Sequence, residues 1–237
     1  MSLPKKIFLI DGSAFLYRAF HAIRSLSTSG GHPTNATFGF TRILLKLLKD
    51  NTPEYAVVMF DVKGPTFRHK LYEEYKANRP PMPEELAAQI PDIKRMISAL
   101  NIPIVEKKGF EADDLVGTFA RLAQENGFEV VMVTGDKDFI QLITDRCSLW
   151  DPMKDTITGR KKVIEDMGIE PAQFIDVLGL AGDTSDNIPG VAGVGPKTAI
   201  KLISEYGSID GVYENLDNLT SKKKLHENLS NSRDVVK

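Results

Sequence analysis

The stretch that decides the fold is Glu129-Val-Val-Met-Val-Thr-Gly-Asp-Lys-Asp138, an apolar run that ends abruptly in two carboxylates. Similar short apolar runs recur earlier and later in the chain, at 6–10, 55–60, 102–105 and, more weakly, 148–150. Longer amphipathic segments alternate with them, at 14–23, 36–49, 83–100 and 112–126. This alternation predicts an α/β fold whose mostly parallel sheet carries helices on both faces.

The composition is that of an ordinary folded protein, with 42% hydrophobic and 26% charged residues among 237. The longest purely apolar stretches run about six residues, whereas a membrane span needs about 20. The first apolar run meets Asp11 before it is long enough for a signal peptide. The single cysteine, Cys147, cannot form an internal disulfide and is expected to be a small buried hydrophobe. We therefore expect a cytoplasmic protein that has no membrane partner.

Two segments interrupt the alternating pattern. Residues 64–83 are polar, basic and bounded by prolines, which indicates an ordered excursion or a mobile lid. From about Lys162 onward no strand is expected, and helices of about ten residues are separated by Gly and Pro. We therefore predict an α/β core at 1–160, which includes the excursion at 64–83, and a small helical subdomain at 161–237.

Acidic residues crowd the ends of the predicted strands, where ligands bind in an open parallel sheet. There are seven of them: Asp11, Asp61, Glu111, Asp113, Asp114, Asp136 and Asp138. Any one alone is explained by a loop or by a helix's first turn. Together they repel, since two charges 4 Å apart cost about 4 kcal/mol at an effective dielectric of 20. Oxygen-only ligands favour Mg²⁺ or Mn²⁺ over zinc, so the cluster predicts a site for hard divalent cations.

Helix geometry restricts how three of these acids can act together. Glu111 and Asp114 can share one face of a helix, but Asp113 lies about 160° away from Glu111 around a regular helix. If all three reach the same ions, Glu111 must precede the first helical turn.

A second acidic pair stands just before a glycine-rich segment. Asp183 and Asp186 are three residues apart, so they either complete a second metal site or form an Asx-type turn. Gly-Val-Gly-Pro-Lys-Thr-Ala follows at 193–199 and opens a predicted helix. The pattern at 185–207 predicts a helix–hairpin–helix motif that grips a phosphate backbone without reading bases, with Lys197 as its cation. It lacks the spacing of a nucleotide-binding P-loop.

These motifs, taken together, resemble the flap-endonuclease family over nearly the whole chain. Within it, the chain is most similar to the N-terminal 5′→3′ exonuclease domain of bacterial DNA polymerase I. The resemblance implies a PIN-like nuclease core, a helical arch and a C-terminal helix–hairpin–helix subdomain. It also implies that nine acids hold two Mg²⁺ ions, for which Mn²⁺ can substitute: Asp11, Asp61, Glu111, Asp113, Asp114, Asp136, Asp138, Asp183 and Asp186.

The resemblance gives the basic excursion a meaning, because it matches the family's arch over a single-stranded 5′ flap. Lys76 and Arg79 are then expected to share a helical face and to stabilise charge on the scissile phosphate, and Tyr75 to stack on a base. Further DNA contacts are expected at Arg18, Arg42, Arg68, Gly193, Gly195, Lys197, Thr198 and Lys201. A K⁺ ion beside the hairpin is a further expectation from relatives.

The resemblance implies metal-dependent 5′→3′ exonuclease and 5′-flap endonuclease activity in replication and repair. The expected partners are DNA with 5′ flaps, nicks or 5′ ends, including RNA-primed ends, and a polymerase region fused outside this chain. We expect a monomer that is associated with the bacterial nucleoid. A formal charge of −2 opposes DNA binding only superficially, because without the nine acids the chain carries +7.

Three other functions remain open at this stage. A non-catalytic binder of branched DNA would use the hairpin and the arch with acids that do not converge. A PIN-like endoribonuclease would share the acids at the strand ends, although the hairpin and arch argue against it. A phosphorelay receiver is the weakest alternative, since it needs only a short single domain and no hairpin.

Overall fold

The computed structural model describes residues 5–233 and divides into two compact units. The first unit contains the chain up to Phe67 together with Pro80–Phe139 and Asp145–Thr158. The second contains Arg68–Arg79, Ile140–Thr144 and the chain from Gly159 onward. The structure differs from the prediction in grouping residues 68–79 of the basic segment with the helical unit, because their side chains and backbone bond to residues 184–187 there.

The first unit is built on a six-stranded sheet with the order β3-β2-β1-β4-β5-β6. Its strands are β1 Lys6–Asp11, β2 Tyr55–Phe60, β3 Ile104–Glu106, β4 Glu129–Val133, β5 Cys147–Asp151 and β6 Thr156–Thr158. The first five are parallel, as predicted, and β6 pairs antiparallel with β5. The strand order reverses between β1 and β4, which is the switch point where open sheets bind ligands.

Helices of the first unit cover both faces of this sheet. Within residues 5–125 the helices are α1 Gly12–Ala22, α2 Asn35–Asn51, α3 Phe67–Leu71, α4 Glu84–Ala87, α5 Ile90–Ala99 and α6 Ala112–Glu125. Of these, α3 lies almost wholly in the second unit, and the others belong to the first. Phe8 and Ile10 of β1 join one core cluster with side chains of α1, α2 and α5. Leu9 points to the opposite face, because side chains alternate along a strand, and α6 packs against β1 and β4 there.

One predicted helix, at 83–100, is formed in two pieces. The break contains Gln89, whose side chain is fully buried. Its Oε1 accepts from the Thr37 amide at 3.0 Å, and its Nε2 donates to Asn35 at 2.9 Å. Pro91 then lies in the first turn of α5, where the N–H that proline lacks would have no partner within the helix. Tertiary hydrogen bonds thus override the continuous amphipathic pattern.

The second unit is helical, as predicted. Its helices are α7 Arg160–Met167, α8 Phe174–Ala181, α9 Pro196–Tyr206, α10 Ile209–Glu214 and α11 Lys223–Asn231. Helices α8 and α9 flank the glycine-rich loop and bury Val177, Leu180, Leu202 and Ile203. Across residues 5–233, no helix combines the length and the apolar character that a bilayer crossing requires.

Candidate functional site

Asp11 is the buried centre of the acidic edge in the first unit. It ends β1 and caps α1, with its Oδ1 accepting from the Ala14 amide at 2.9 Å. Its Oδ2 accepts from the hydroxyl of Thr134, just past β4, at 3.0 Å. Burial above all, together with the charges of Asp61 and Asp136, raises the pKa of Asp11 to about 6. These three acids, which are far apart in the sequence, therefore share one electrostatic neighbourhood.

Asp61 links the end of β2 to the start of α6. Its Oδ1 accepts from the Ala112 amide at 2.6 Å, and its own amide donates to Ser13 Oγ at 2.8 Å. Glu111 stands immediately before α6 with extended backbone, which confirms that it precedes the first helical turn. Its amide donates to Asp114 at 2.9 Å in a reciprocal capping box.

Thr134 links Asp11 through hydrogen bonds to the acids that follow β4. Its Oγ accepts from the Asp136 amide at 3.2 Å while its hydroxyl donates to Asp11, and the residue is fully buried. Asp136 in turn accepts from the amide of Asp138 at 3.0 Å. The sequence analysis missed both Thr134 and Ser13, although each hydroxyl lies next to a strand-end acid in the chain.

Several acids of the first unit accept from backbone N–H groups in this conformation: Asp11, Asp61, Asp114 and Asp136. Within residues 5–233, no three Asp, Glu, His or Cys side chains already converge closely enough to hold a metal ion. The donor set nevertheless fits a hard cation, since it consists of carboxylate oxygens that raise one another's cost of ionisation. A divalent ion would supply the counter-charge that Asp11 lacks, so the residues fit a divalent cation.

The second unit contains Asp183 and Asp186, and the structure gives them different surroundings. Asp183 Oδ1 accepts from the amides of Ser185 at 2.7 Å and Asp186 at 3.3 Å, which is the Asx-type turn left open above. Asp186 accepts from the hydroxyl of Tyr75 at 2.9 Å. Its carboxylate is also paired with Lys76 and Arg79. The two predicted catalytic cations thus converge on one acid.

The segment that carries these cations differs from the predicted helical arch. The helix there, α3, ends at Leu71, and turns follow through Asn78. Lys76 has a left-handed backbone with φ of 57°, so Lys76 and Arg79 do not share a helical face. They share a partner instead, because the segment folds onto Asp186.

Tyr75 is a further correction, since its ring is not open for stacking. It is only 5% exposed, with the Lys76 ammonium 4.8 Å from the ring centroid and His69 against its edge. The neighbouring Tyr72 is 39% exposed. A pocket of about 350 Å³ opens beside it, and its lining includes Arg68, Leu71, Tyr72, Tyr75, Ile188 and Pro189.

The glycine-rich loop has the backbone that the hairpin motif requires. Gly193 has φ of 74°, a left-handed conformation that favours glycine. Gly195 is the residue before α9, and a side chain added there would meet nothing within 4 Å. Lys197 and Lys201 are exposed on α9, and Thr198 is half-buried. The loop therefore presents an accessible helix N-terminus flanked by lysines.

The remaining predicted contacts lie in the first unit. Arg42 is exposed on α2, with its guanidinium 5.8 Å from the ring centroid of Phe38. Arg18 of α1 is paired with Asp151, an acid at the end of β5 that the sequence analysis missed. Cys147 is 1% exposed and burial raises its pKa to about 12, which makes it an inert hydrophobe.

Comparisons with known proteins agree with this architecture. Residues 6–168 match the family described as the 5′-3′ exonuclease N-terminal, resolvase-like domain, and residues 169–237 match the 5′-3′ exonuclease C-terminal SAM fold. A 5′-3′ exonuclease of Aquifex aeolicus is 43% identical over 211 residues, which cover 89% of this chain and 73% of that protein. DNA polymerase I of Bacillus subtilis is 43% identical over 238 residues, which cover 99% of this chain but only 27% of that protein.

Solved structures show the same fold at lower identity. T5 5′-exonuclease with divalent zinc ions bound superposes with a TM-score of 0.78 at 24% identity, covering 98% of this chain and 86% of that one. The catalytic core of Rad2 in complex with DNA substrate superposes with a TM-score of 0.63 at 22% identity, covering 95% and 68%.

Proposed function

The chain belongs to the 5′-3′ exonuclease family, and from this premise we propose that it hydrolyses DNA phosphodiester bonds at 5′ ends and 5′ flaps with divalent metal ions. The observation that carries the proposal is the coupling of Asp11 to Asp61 and Asp136 at the sheet's switch point. Such a concentration of carboxylate charge disfavours DNA unless cations are bound between them. Replication and repair, including primer removal, are the processes that such a reaction serves.

We assign the metal-holding role to the nine acids of the sequence analysis, seven at the sheet edge and the pair Asp183 and Asp186. When bound, two Mg²⁺ ions would activate water and stabilise the leaving oxygen, and Mn²⁺ would substitute. Thr134 and Ser13 orient Asp11 and the backbone at Asp61, so that the carboxylates keep their places at the strand ends. Carboxylates that now accept from backbone amides would exchange those bonds for an ion.

Positive side chains in both units suit the charge of the substrate. Lys76 and Arg79 would stabilise the scissile phosphate once a phosphate replaces Asp186 as their partner. Gly193, Gly195, Lys197, Thr198 and Lys201 would hold the duplex backbone through the N-terminus of α9. Arg18, Arg42 and Arg68 are assigned further DNA contacts, and a K⁺ ion at the hairpin carbonyls is assigned on the likeness of the motif alone.

The wider setting is also part of the proposal. The chain corresponds to about a quarter of the DNA polymerase I relatives, so a polymerase region is a fitting covalent partner. We propose a monomer that acts in the cytoplasm at the nucleoid and that accepts RNA-primed as well as DNA 5′ ends.

Cleavage of a labelled 5′-flap duplex in Mg²⁺ tests this function. Asp136→Ala is expected to lower the cleavage rate by at least about a thousandfold, because it removes a carboxylate from the cluster, while flap binding in Ca²⁺ is retained. Glu125→Ala, at an exposed acid paired with Arg121 at the other end of α6, is the matched control and should cleave normally. A wild-type protein that binds flaps without cutting them would favour the non-catalytic binder, and preferential cutting of RNA would favour an endoribonuclease.

A further inference from the structure

Asp151 holds a buried carboxylate that the proposed chemistry does not use. It is the last residue of β5, beside β4, and its side chain is 5% exposed. Its two oxygens accept from the two terminal nitrogens of Arg18, Nη1 to Oδ1 at 3.4 Å and Nη2 to Oδ2 at 3.2 Å. Paired contacts of this kind fix the plane of a guanidinium as well as its position.

The same guanidinium lies close to Gly135, in the loop after β4. A β-carbon built on Gly135 would come within 1.6 Å of Arg18 Nη1 and 2.5 Å of Cζ. The backbone of Gly135 is not left-handed, so a side chain there would conflict with the Arg18 guanidinium and not with the backbone conformation, and the guanidinium would have to move. The guanidinium therefore contacts the Asp151 carboxylate and lies close to the backbone of the loop after β4.

That loop also carries residues of the acidic site, so the position of the guanidinium affects the site. Thr134 and Asp136 flank Gly135, and both belong to the hydrogen-bonded network of Asp11. A guanidinium released from Asp151 would pair with the nearest carboxylates, since charge-assisted pairs are the strongest hydrogen bonds available to it. Asp136 is one residue from the contact point and would be such a partner.

We infer that Asp151 is a positioning residue for the nuclease reaction, which holds Arg18 beside the acidic edge and keeps it from pairing with the metal-site carboxylates. This contact, the Asp151–Arg18 clamp, uses two of the five guanidinium N–H donors, so others are left for a phosphate oxygen of the DNA. The inference rests on the proposed function, because it assigns the clamped cation to the substrate of that reaction. In this assignment Asp151 acts through Arg18.

A double-mutant cycle separates a positioning role from a general loss. Asp151→Asn keeps an oxygen for the Met153 amide, which Oδ1 now binds at 3.0 Å, but it loses the paired acceptor and the charge. It is expected to lower the single-turnover cleavage rate about 10- to 100-fold, with flap affinity in Ca²⁺ changed less than about twofold. In an Arg18→Ala background the same change should alter the rate less than about twofold.

Two further variants complete the design. Asp155→Asn is the matched control on the same hairpin, since Asp155 is exposed and paired with Lys46, and it should leave the rate unchanged. Gly135→Ala would displace the guanidinium by steric conflict, so it should reproduce the loss and not add to that of Asp151→Asn. Equal fold-losses with and without Arg18 would overturn the inference.

An NMR measurement tests the contact between Asp151 and Arg18 without a catalytic assay. The Nε–H signal of Arg18 in nitrogen-15 NMR spectra of the metal-free protein should be distinct in the wild type and in Asp155→Asn, and broadened by motion in Asp151→Asn. An unaffected signal in Asp151→Asn would refute the clamp. If the wild type cleaves no DNA, the proposed function fails, while this signal still decides whether Asp151 fixes Arg18.

Discussion

At the scale of the single residue, Asp11 shows how a candidate metal ligand can destabilise the protein that contains it. It is 2% exposed and bonded on both oxygens, yet burial and two neighbouring acids still raise its pKa to about 6. Neutralising its charge would therefore help the metal-free protein. A functional residue of this kind is expected to lower the stability of the folded protein.

This conflict predicts that Asp11→Asn stabilises the metal-free protein at pH 7.5. The folded pKa of about 6 exceeds the ordinary 3.8, so stability is lost as the pH rises through this range, at a cost on the order of 3 kcal/mol above it. Asparagine can still accept from Ala14 and contact Thr134. We expect a Tm higher by about 5 to 10 °C in EDTA, measured by differential scanning calorimetry.

The pH dependence provides the control for this prediction. At pH 4 the folded wild type already carries a proton on Asp11, so the two proteins should melt at nearly the same temperature. Mg²⁺ should raise the Tm of the wild type more than that of the variant, because only the wild type offers the charge. A variant that is less stable than the wild type at pH 7.5 would contradict this account of Asp11.

At the scale of the element, the conformation of residues 74–79 in the basic segment depends on Asp186 rather than on helix formation. Residues 74–79 bond to 184–187 through side chains and backbone, including Lys76 N–H to the Asp186 carbonyl at 2.9 Å. The sequence pattern predicted helical spacing for Lys76 and Arg79. It could not show that an ion-pair partner 107 positions away from Arg79 would replace a helical turn.

The dependence on Asp186 predicts that Asp186→Asn loosens this segment. Loss of the charge weakens bonds that are each worth about 1.5 to 3 kcal/mol when one partner is ionised, so the open population should rise about tenfold. Limited trypsin digestion in EDTA should then cut after Lys76 about ten times faster. Asp166→Asn, at an exposed acid paired with Lys162 on α7, should digest like the wild type. Equal cutting in all three proteins would show that Asp186 does not anchor the segment.

At the scale of the whole molecule, the distribution of charge matters more than its total. The net charge of −2 becomes +7 when the nine candidate ligands are set aside, so DNA-facing surfaces can be basic. Not every basic run serves this purpose. Arg160, Lys161 and Lys162 are each paired with an acid in the second unit.

The charge distribution predicts that Lys197→Ala weakens duplex binding and its dependence on salt. One lost phosphate contact should reduce the slope of log K against log salt concentration by about 0.9. Fluorescence anisotropy in Ca²⁺ over a range of KCl concentrations measures the slope. Lys161→Ala is the matched control, because Lys161 is paired with Glu165. If the Lys197→Ala slope equals that of the wild type, the N-terminus of α9 does not hold a phosphate.

The sequence by itself determined the parallel sheet, the helical second part and the acids at the strand ends. These features follow from local periodicity and from the rule that parallel strands end at one edge. Only the tertiary structure decided which partners Arg18 and Arg79 take. The pairs of Arg18 with Asp151 and of Arg79 with Asp186 join residues more than 100 positions apart. No local pattern encodes such pairs, because their energy depends on burial and on geometry that exists only once the chain is folded.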